Sequence, residues 1–347
     1  MNLSDYDYVL PPELIAQAPL EDRDHSRMLV LRRGRTALEH SIFHRLPDYL
    51  DPGDLLVMNN SRVIPARLLG RHAGTGVEVE LLLLHRLDGS RWEAMVRPGR
   101  KLKPGIKVFF EGDLEALIED YAGEGKRVIR FSGPEPLAEA LARAGQVPLP
   151  PYITATLEDP SQYQTIYATE DGSAAAPTAG FHFTPAVFAA LDAKKIRRTF
   201  ITLHIGPGTF QPVKVEDIRE HVMHHEYYRL DADTAKLINE TRRQGNRVVA
   251  VGTTACRVLE TAAALESDAH PGTIPPGSRE GWTGLYIYPG YRFRAVDALL
   301  TNFHLPRSTL LMLISAFAGY EPVQAAYREA VCQKYRFYSF GDCMLIL

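Results

Sequence analysis

His221-Val222-Met223-His224-His225-Glu226 sets three imidazoles beside a carboxylate within one short stretch. Histidine titrates near neutral pH, so such a cluster suits proton transfer. The same groups can ligate metals, but the order is not His-Glu-x-x-His and no cysteine is near, so no metal is expected. A polar helix end or loop is the third reading of this stretch. His182, His204 and His304 each stand between apolar residues at the edge of an expected loop. One alone would read as a hydrogen-bonded core histidine; three beside small-residue turns read as a shared pocket. Those turns are Gly172 to Thr184, which holds Pro177, Thr178 and Gly180, then Leu203 to Phe210 with Gly208 and Thr209, and Gly252-Thr253-Thr254. Small residues let backbone approach a ligand closely, and a helix opening after Thr184 offers unpaired N–H groups. None of these turns carries a dinucleotide fingerprint or a P-loop. Asn59-Asn60-Ser61-Arg62, leaving an apolar run, adds amides, a hydroxyl and a cation to the same rim.

A second kind of chemistry is concentrated between Arg91 and Lys107, where six basic residues face one acid, a local charge of +5. Its centre, Arg97-Pro98-Gly99-Arg100-Lys101, is a cationic turn of the kind that can track a phosphate backbone. The chain as a whole carries −3, so no global basic field marks it as a nucleic-acid binder. Its 347 residues suit about two domains, and 45% hydrophobic with 23% charged residues excludes disorder. The longest run of large apolar residues, Leu310 to Ile314, is far too short for a bilayer span, so no membrane association is expected. The start is polar and acidic, unlike a signal peptide, and three cysteines without a Cys-x-x-Cys pair suit a reducing compartment. A cytoplasmic protein is expected.

These groups need elements to position them. Gly76 to Leu81, Trp92 to Arg97, Ile106 to Phe110, Leu114 to Tyr121 and Arg127 to Phe131 are short β-type runs parted by Gly-rich and Pro-Gly turns. With no helix expected between them they read as a small barrel or sandwich. Elsewhere strands alternate with helices. Thr184-Pro185 opens a helix through Ala193, Asp231 caps one ending at Gly245, and another begins at Thr253 or Thr254. That alternation implies a parallel sheet, open or closed. Leu55-Leu56-Val57-Met58 reads as a strand buried on both faces, belonging to the same sheet. The expected organisation is therefore an α/β main domain of residues 1–64 and 148–347, interrupted by an all-β small barrel at 65–147.

Taken together, several blocks resemble one known family, the S-adenosylmethionine:tRNA ribosyltransferase-isomerases of queuosine biosynthesis. They are Arg23 to Arg27, Asn59 to Arg67, Val96 to Lys101, Ala175 to Gly180 with His182-Phe183-Thr184, Thr202-Leu203-His204 with Gly208-Thr209-Phe210, Asp297 to Pro306, and Tyr335-Arg336-Phe337. They follow in order along nearly the whole chain. The resemblance implies a barrel-like α/β main domain with an inserted β-barrel. It implies transfer of the ribosyl part of S-adenosylmethionine onto 7-aminomethyl-7-deazaguanine at the tRNA wobble position, giving epoxyqueuosine with release of adenine and methionine. S-adenosylmethionine is then a consumed substrate, and no cofactor or metal is implied; a monomer is the family default. His182, His204, His224 and Glu226 are the expected proton-transfer groups. Asn59, Asn60, Arg62, Pro177, Thr178, Gly180, Gly208, Thr209, Thr253, Thr254, Asn302 and His304 are the expected substrate contacts, and Arg67, Arg97, Arg100 and Lys101 the RNA contacts. Ala174, His225 and Ala255-Cys256 depart from the family pattern, which weighs against essential roles for His225 or Cys256. Two rivals, a sugar-phosphate enzyme and a non-catalytic RNA binder, leave either the basic turn or the histidine-rich turns without a purpose.

Overall fold

The computed structural model describes residues 1–347 except 124, 156, 158, 207, 209–212 and 266–272. In chain order the strands and helices begin with β1 (Arg27–Leu31), β2 (Leu38–Ile42), β3 (Leu55–Asn59) and β4 (Ser61–Val63). The inserted segment supplies β5 (Arg67–His72), β6 (Glu78–Arg86), β7 (Arg91–Arg97), β8 (Lys107–Phe109), β9 (Glu115–Tyr121), β10 (Lys126–Ser132), α1 (Leu137–Ala144) and β11 (Gly145–Gln146). There follow β12 (Glu170–Ser173), α2 (Pro185–Ala193), β13 (Arg197–Leu203), β14 (Glu226–Leu230), α3 (Ala232–Arg243), β15 (Val248–Val251) and α4 (Gly252–Ala263). The chain ends with β16 (Arg279–Thr283), β17 (Ala298–Asn302), α5 (Thr309–Ala318), α6 (Tyr320–Cys332) and β18 (Cys343–Ile346).

The main sheet has nine strands in the order β16-β14-β13-β3-β15-β17-β18-β1-β2. β3 lies at its middle, parallel to both β13 and β15, so the N-terminal run Leu55–Met58 does join the C-terminal half. Every residue of β3, β15, β17 and β18 is buried. Alternate side chains go to opposite faces, as the period of a strand requires. Leu55 and Val57 enter one core with Val248, Ala250 and α4 residues Ala255, Val258 and Leu259. Leu56 and Met58 enter the other with Val249, Val251, Phe43, Leu46 and α2 residues Val187 and Leu191. Each such Leu, Val, Met or Phe side chain contributes about 1.5–3 kcal/mol by leaving water, which outweighs any local propensity in fixing the register.

The sheet is mixed, where the alternation of strands and helices predicts a parallel one. β13, β3, β15 and β17 are parallel, but β18 enters antiparallel to β17, and β14 and β16 form an antiparallel edge. β1 and β2 pair as neighbours in a hairpin, which needs no crossover helix. In the insertion, β5-β6-β7-β10-β9-β8 are antiparallel, and β8 pairs back onto β5 to close a six-stranded barrel. Its core, including Leu68, Leu81, Trp92, Ile118 and Ile129, is separate from the two sheet cores. Helix α1 is an addition to the expected all-β reading; Leu-Ala-Glu-Ala-Leu-Ala-Arg-Ala is rich in strong helix formers.

The helix ends follow their sequence signals with one difference. Thr184 accepts a hydrogen bond from the Val187 N–H at 3.3 Å, capping α2 with Pro185 at its first position. Asp231 occupies the cap position of α3, but its carboxylate faces Arg229 at 3.3 Å instead of the helix. Among the described residues no helix is long and apolar enough to cross a membrane.

Candidate functional site between barrel and sheet

A cleft of about 1440 Å³ opens between the barrel and the main sheet. One wall comes from β6, β7 and α1, with His85, Arg86, Glu93 and Leu141; the other comes from the carboxyl ends of the main strands and the turns that follow them. A recess of about 100 Å³ adjoins it and shares Thr253, Thr254 and Leu310 with it. Strand ends at a sheet's carboxyl edge are where α/β folds hold ligands.

His204 follows β13 directly and lines the cleft. Its Nδ1 lies 2.8 Å from Ser61 Oγ, and its ring stacks on Tyr227 with centroids 5.8 Å apart. Burial, helped by the charges of His85 and Arg229, pushes the imidazole down to about 4, against a smaller pull from Asp171. It is therefore neutral at pH 7 and able to accept a proton. Gly172, at φ +142°, passes so close that a Cβ there would stand 2.9 Å from His204 Nε2. Gly208 approaches the His224 ring even more tightly. These glycines thus make room for imidazoles of the chain itself. Gly172→Ala is expected to lower turnover by about 100-fold, since a displacement near 1 Å at a reacting group has that effect. Steady-state rates, compared with the thermal unfolding midpoint, check it; an unchanged rate would mean that the His204 ring position is immaterial.

Glu226 begins β14 and is 5% exposed. Its Oε1 accepts the Gly206 N–H at 3.0 Å and its other oxygen pairs with the Arg257 guanidinium. Arg257, on α4, also donates to the Leu285 carbonyl at 3.1 Å. This buried pair ties Gly206 to α4, and Glu226 also lines the cleft. His221, His224 and His225 all line the cleft, in the loop before β14. Among the described residues no three histidine, cysteine or acidic side chains converge as metal ligands do.

His182 lies apart from both cavities. Its Nδ1 is 2.6 Å from Ser26 Oγ, and burial pushes it down to about 4. Its Nε2 faces the Asn302 side chain, which pulls the imidazole back up a little, although neither that nitrogen nor the Asn302 Oδ1 makes a hydrogen bond of full geometry among the described residues. Asn302 lines the recess together with Pro177, Thr178 and His304, so His182 stands behind the wall that Asn302 presents. His304 holds Thr301 Oγ1 at 2.7 Å and is pushed down to about 3 by burial.

Other expected contacts fall elsewhere. Asn59 is spent inside the fold: its Oδ1 accepts the Ser61 and Leu203 N–H groups at 3.1 and 3.0 Å, and its Nδ2 donates to the Leu203 carbonyl and Thr254 Oγ1. Asn60 joins Thr169 and Thr202. Neither lines the cleft or the recess: the Asn59 amide satisfies backbone groups at strand ends, and the Asn60 side chain is taken up by the Thr169 and Thr202 hydroxyls. Gly180 is a packing residue, its α-carbon pressed against the Tyr167 hydroxyl. Arg62 lines the cleft, 3.8 Å from Asp171. Thr209 lies outside the described residues. Arg97, Arg100 and Lys101 are exposed at the barrel end of β7, and none has a carboxylate partner among the described residues; Arg67 is paired with Glu80 at 3.1 Å. By strand alternation Arg97 shares the face of Glu93 and Met95, which line the cleft.

Arg257, His85, Trp282 and the α1 residues Leu137 and Leu141 also line the cleft. No local motif singles them out, being isolated residues within ordinary strands and helices; only the Ala-Leu pattern of α1 could have been read.

A family model described as queuosine biosynthesis protein matches residues 3–346. The S-adenosylmethionine:tRNA ribosyltransferase-isomerases of Moorella thermoacetica and Symbiobacterium thermophilum are 54% and 55% identical, each over the whole of both chains. A crystal structure of S-adenosylmethionine tRNA ribosyltransferase from Thermotoga maritima is 41% identical, covers 99% of this chain and all of that one, and has a TM-score of 0.57. The chain therefore belongs to the queuosine-biosynthesis family of S-adenosylmethionine:tRNA ribosyltransferase-isomerases.

Proposed function

We propose that this chain moves the ribosyl part of S-adenosylmethionine onto the aminomethyl group of 7-aminomethyl-7-deazaguanine at the tRNA wobble position, releasing adenine and methionine. The observation that carries the reading is the two-walled cleft, with Arg86 and Lys126 on the barrel side and a row of histidines on the sheet side, running into a largely apolar recess edged by Thr178, Asn302 and His304. Pockets for ligands of drug size occupy about 300–1,000 Å³. The recess is too small for the donor, which in this reading spans recess and cleft, with Pro177, Thr178, Asn302 and His304 around one end and Thr253 and Thr254 between. The reaction needs removal of a proton from the carbon beside the sulfonium, protonation of departing adenine, addition of the substrate amine to the opened ribose, and closure to the epoxide as methionine leaves. His204 and His224, on the cleft wall, carry the proton transfers. Glu226 and His182 position them and the recess. Water is kept from the open-chain aldehyde by the two walls, both supplied by one chain, so a monomer suffices. S-adenosylmethionine is consumed, and neither cofactor nor metal enters these steps.

The unit 65–147 takes the tRNA, with Arg97, Arg100 and Lys101 on phosphates and Arg67 contributing less because Glu80 already holds it. A tRNA substrate is met in the cytoplasm, and that is the compartment this reading assigns. Removing any one of Arg97, Arg100 or Lys101 is expected to reduce the slope of log affinity against log salt by about 1. Equilibrium binding of the anticodon stem-loop at several salt concentrations checks this; an unchanged slope for all three would remove the basic turn from the interface. The reaction itself is tested by incubating the chain with S-adenosylmethionine and stem-loops that carry or lack the 7-aminomethyl-7-deazaguanine. Adenine release that requires the modified base supports the reading, and release that ignores the RNA overturns it.

A further inference from the structure

Trp282 plays no part in the chemistry above, yet it stands in the cleft wall. It lies on β16, directly opposite Tyr227 of β14, and is 50% exposed. The other tryptophan, Trp92, is buried in the barrel core. Two rings brace the Trp282 indole: His85 from the barrel, with centroids 4.8 Å apart and planes at 80°, and Tyr227, at 5.9 Å and 71°. Both contacts are edge-to-face, and half of the tryptophan surface stays exposed. Tyr227 in turn stacks on His204. A continuous row of rings therefore joins the barrel wall to the proposed proton-transfer group. Around the same cleft Arg62, Arg86, Lys126 and Lys214 outnumber Glu93 and Asp171. An open aromatic face in a groove of excess positive charge is how proteins hold single-stranded nucleic acid. Bases stack on the ring whatever their sequence, and cations meet the phosphates.

We propose that Trp282, braced by His85 and Tyr227, is the stacking platform for an unpaired nucleobase of the RNA loop held in the cleft. This deepens the tRNA reading given above and rests on it. The row makes both domains grip one base, so RNA seated there also aligns the barrel wall with the histidine wall.

The test uses a fluorescein-labelled anticodon stem-loop carrying 7-aminomethyl-7-deazaguanine, with binding followed by anisotropy in the absence of S-adenosylmethionine. Trp282→Ala is expected to weaken affinity about 5- to 150-fold, the range for loss of one base–aromatic stack. Trp282→Phe should recover most of it, and the loss should reach KM for the stem-loop but not KM for S-adenosylmethionine. In a Trp92→Phe background, where Trp282 is the remaining tryptophan, saturating unlabelled stem-loop should quench the emission. Affinity within twofold of the parent for Trp282→Ala, or unquenched emission, would overturn the platform. Binding is read without turnover, so the two readings fail separately. Adenine release with an indifferent Trp282 removes only the platform, whereas stacking without any adenine release removes the reaction.

Discussion

His204→Ala is expected to lower adenine release by about 10²–10⁴-fold, the contribution of a positioned general base or acid. The imidazole is the group best placed to move the proton. It faces the cleft, Ser61 fixes its Nδ1, and the close passage of Gly172 sets the other side of the ring. Its burial gives the pH dependence a definite sign. A group pushed down to about 4 stays unprotonated throughout the neutral range, so kcat/KM should not decline on its account as pH drops from 8 to 6. Loss should set in only as pH falls towards about 4, where the base becomes protonated in the free enzyme. The stack on Tyr227 could make alanine a packing defect, so His204→Phe is the needed companion. It keeps a ring at this position while removing both nitrogens. Near-parental turnover of His204→Phe would show that the ring only packs, and would pass the proton transfer to His224. His224→Ala, in an exposed loop position, should cost turnover without cost to stability.

The second large effect concerns Glu226 and Arg257. Removing one member of a buried ion pair leaves the other charge unpaired, at a cost of about 3–5 kcal/mol. Arg257→Met should therefore destabilise the main domain by that order, and should slow turnover because Gly206 at the cleft wall loses its anchor. Glu226→Gln retains an oxygen for the Gly206 N–H but strands the guanidinium, and should be damaging as well. The double variant Glu226→Gln/Arg257→Met has no stranded charge and should recover much of the lost stability, giving a coupling energy well above that of exposed pairs. Urea unfolding measured for all four proteins decides it. A single variant within about 1 kcal/mol of the parent would mean that this pair holds nothing in place.

Much of this architecture was legible in the residues. The uninterrupted apolar run Leu55–Met58 reads as a strand covered on both faces, and the five short runs between Gly76 and Phe131 as a small barrel or sandwich, which the structure closes into a barrel. Direction and order were not legible. Periodicity reports which face a residue takes, and it is silent about which neighbour a strand selects; hence nothing in the run Cys343–Ile346 announces that β18 arrives antiparallel beside β17. The site was legible in part for a related reason. His204, Thr253, Thr254 and His304 follow parallel strands directly and His224 comes just before the antiparallel β14, so topology gathers them along one edge. Asn59, Asn60 and Gly180 carry the same surface signal, polar or small residues beside a strand, yet they serve internal hydrogen bonding and close packing. Arg257 and Trp282 were hidden because each is one residue in an otherwise ordinary helix or strand, given meaning only by the cleft it meets.

The central claim is that the ribose of the donor, and not its methyl group, ends on the RNA inside this cleft. It is tested most directly with S-adenosylmethionine carrying a carbon isotope label throughout the ribose, incubated with the modified stem-loop and followed by mass spectrometry of the RNA and of the released small molecules. The whole labelled ribose skeleton should appear on the 7-aminomethyl-7-deazaguanine nucleotide, with unlabelled adenine and methionine released in equal amounts. Transfer of a methyl group alone, or label retained in a free nucleoside while the RNA mass stays constant, would contradict it.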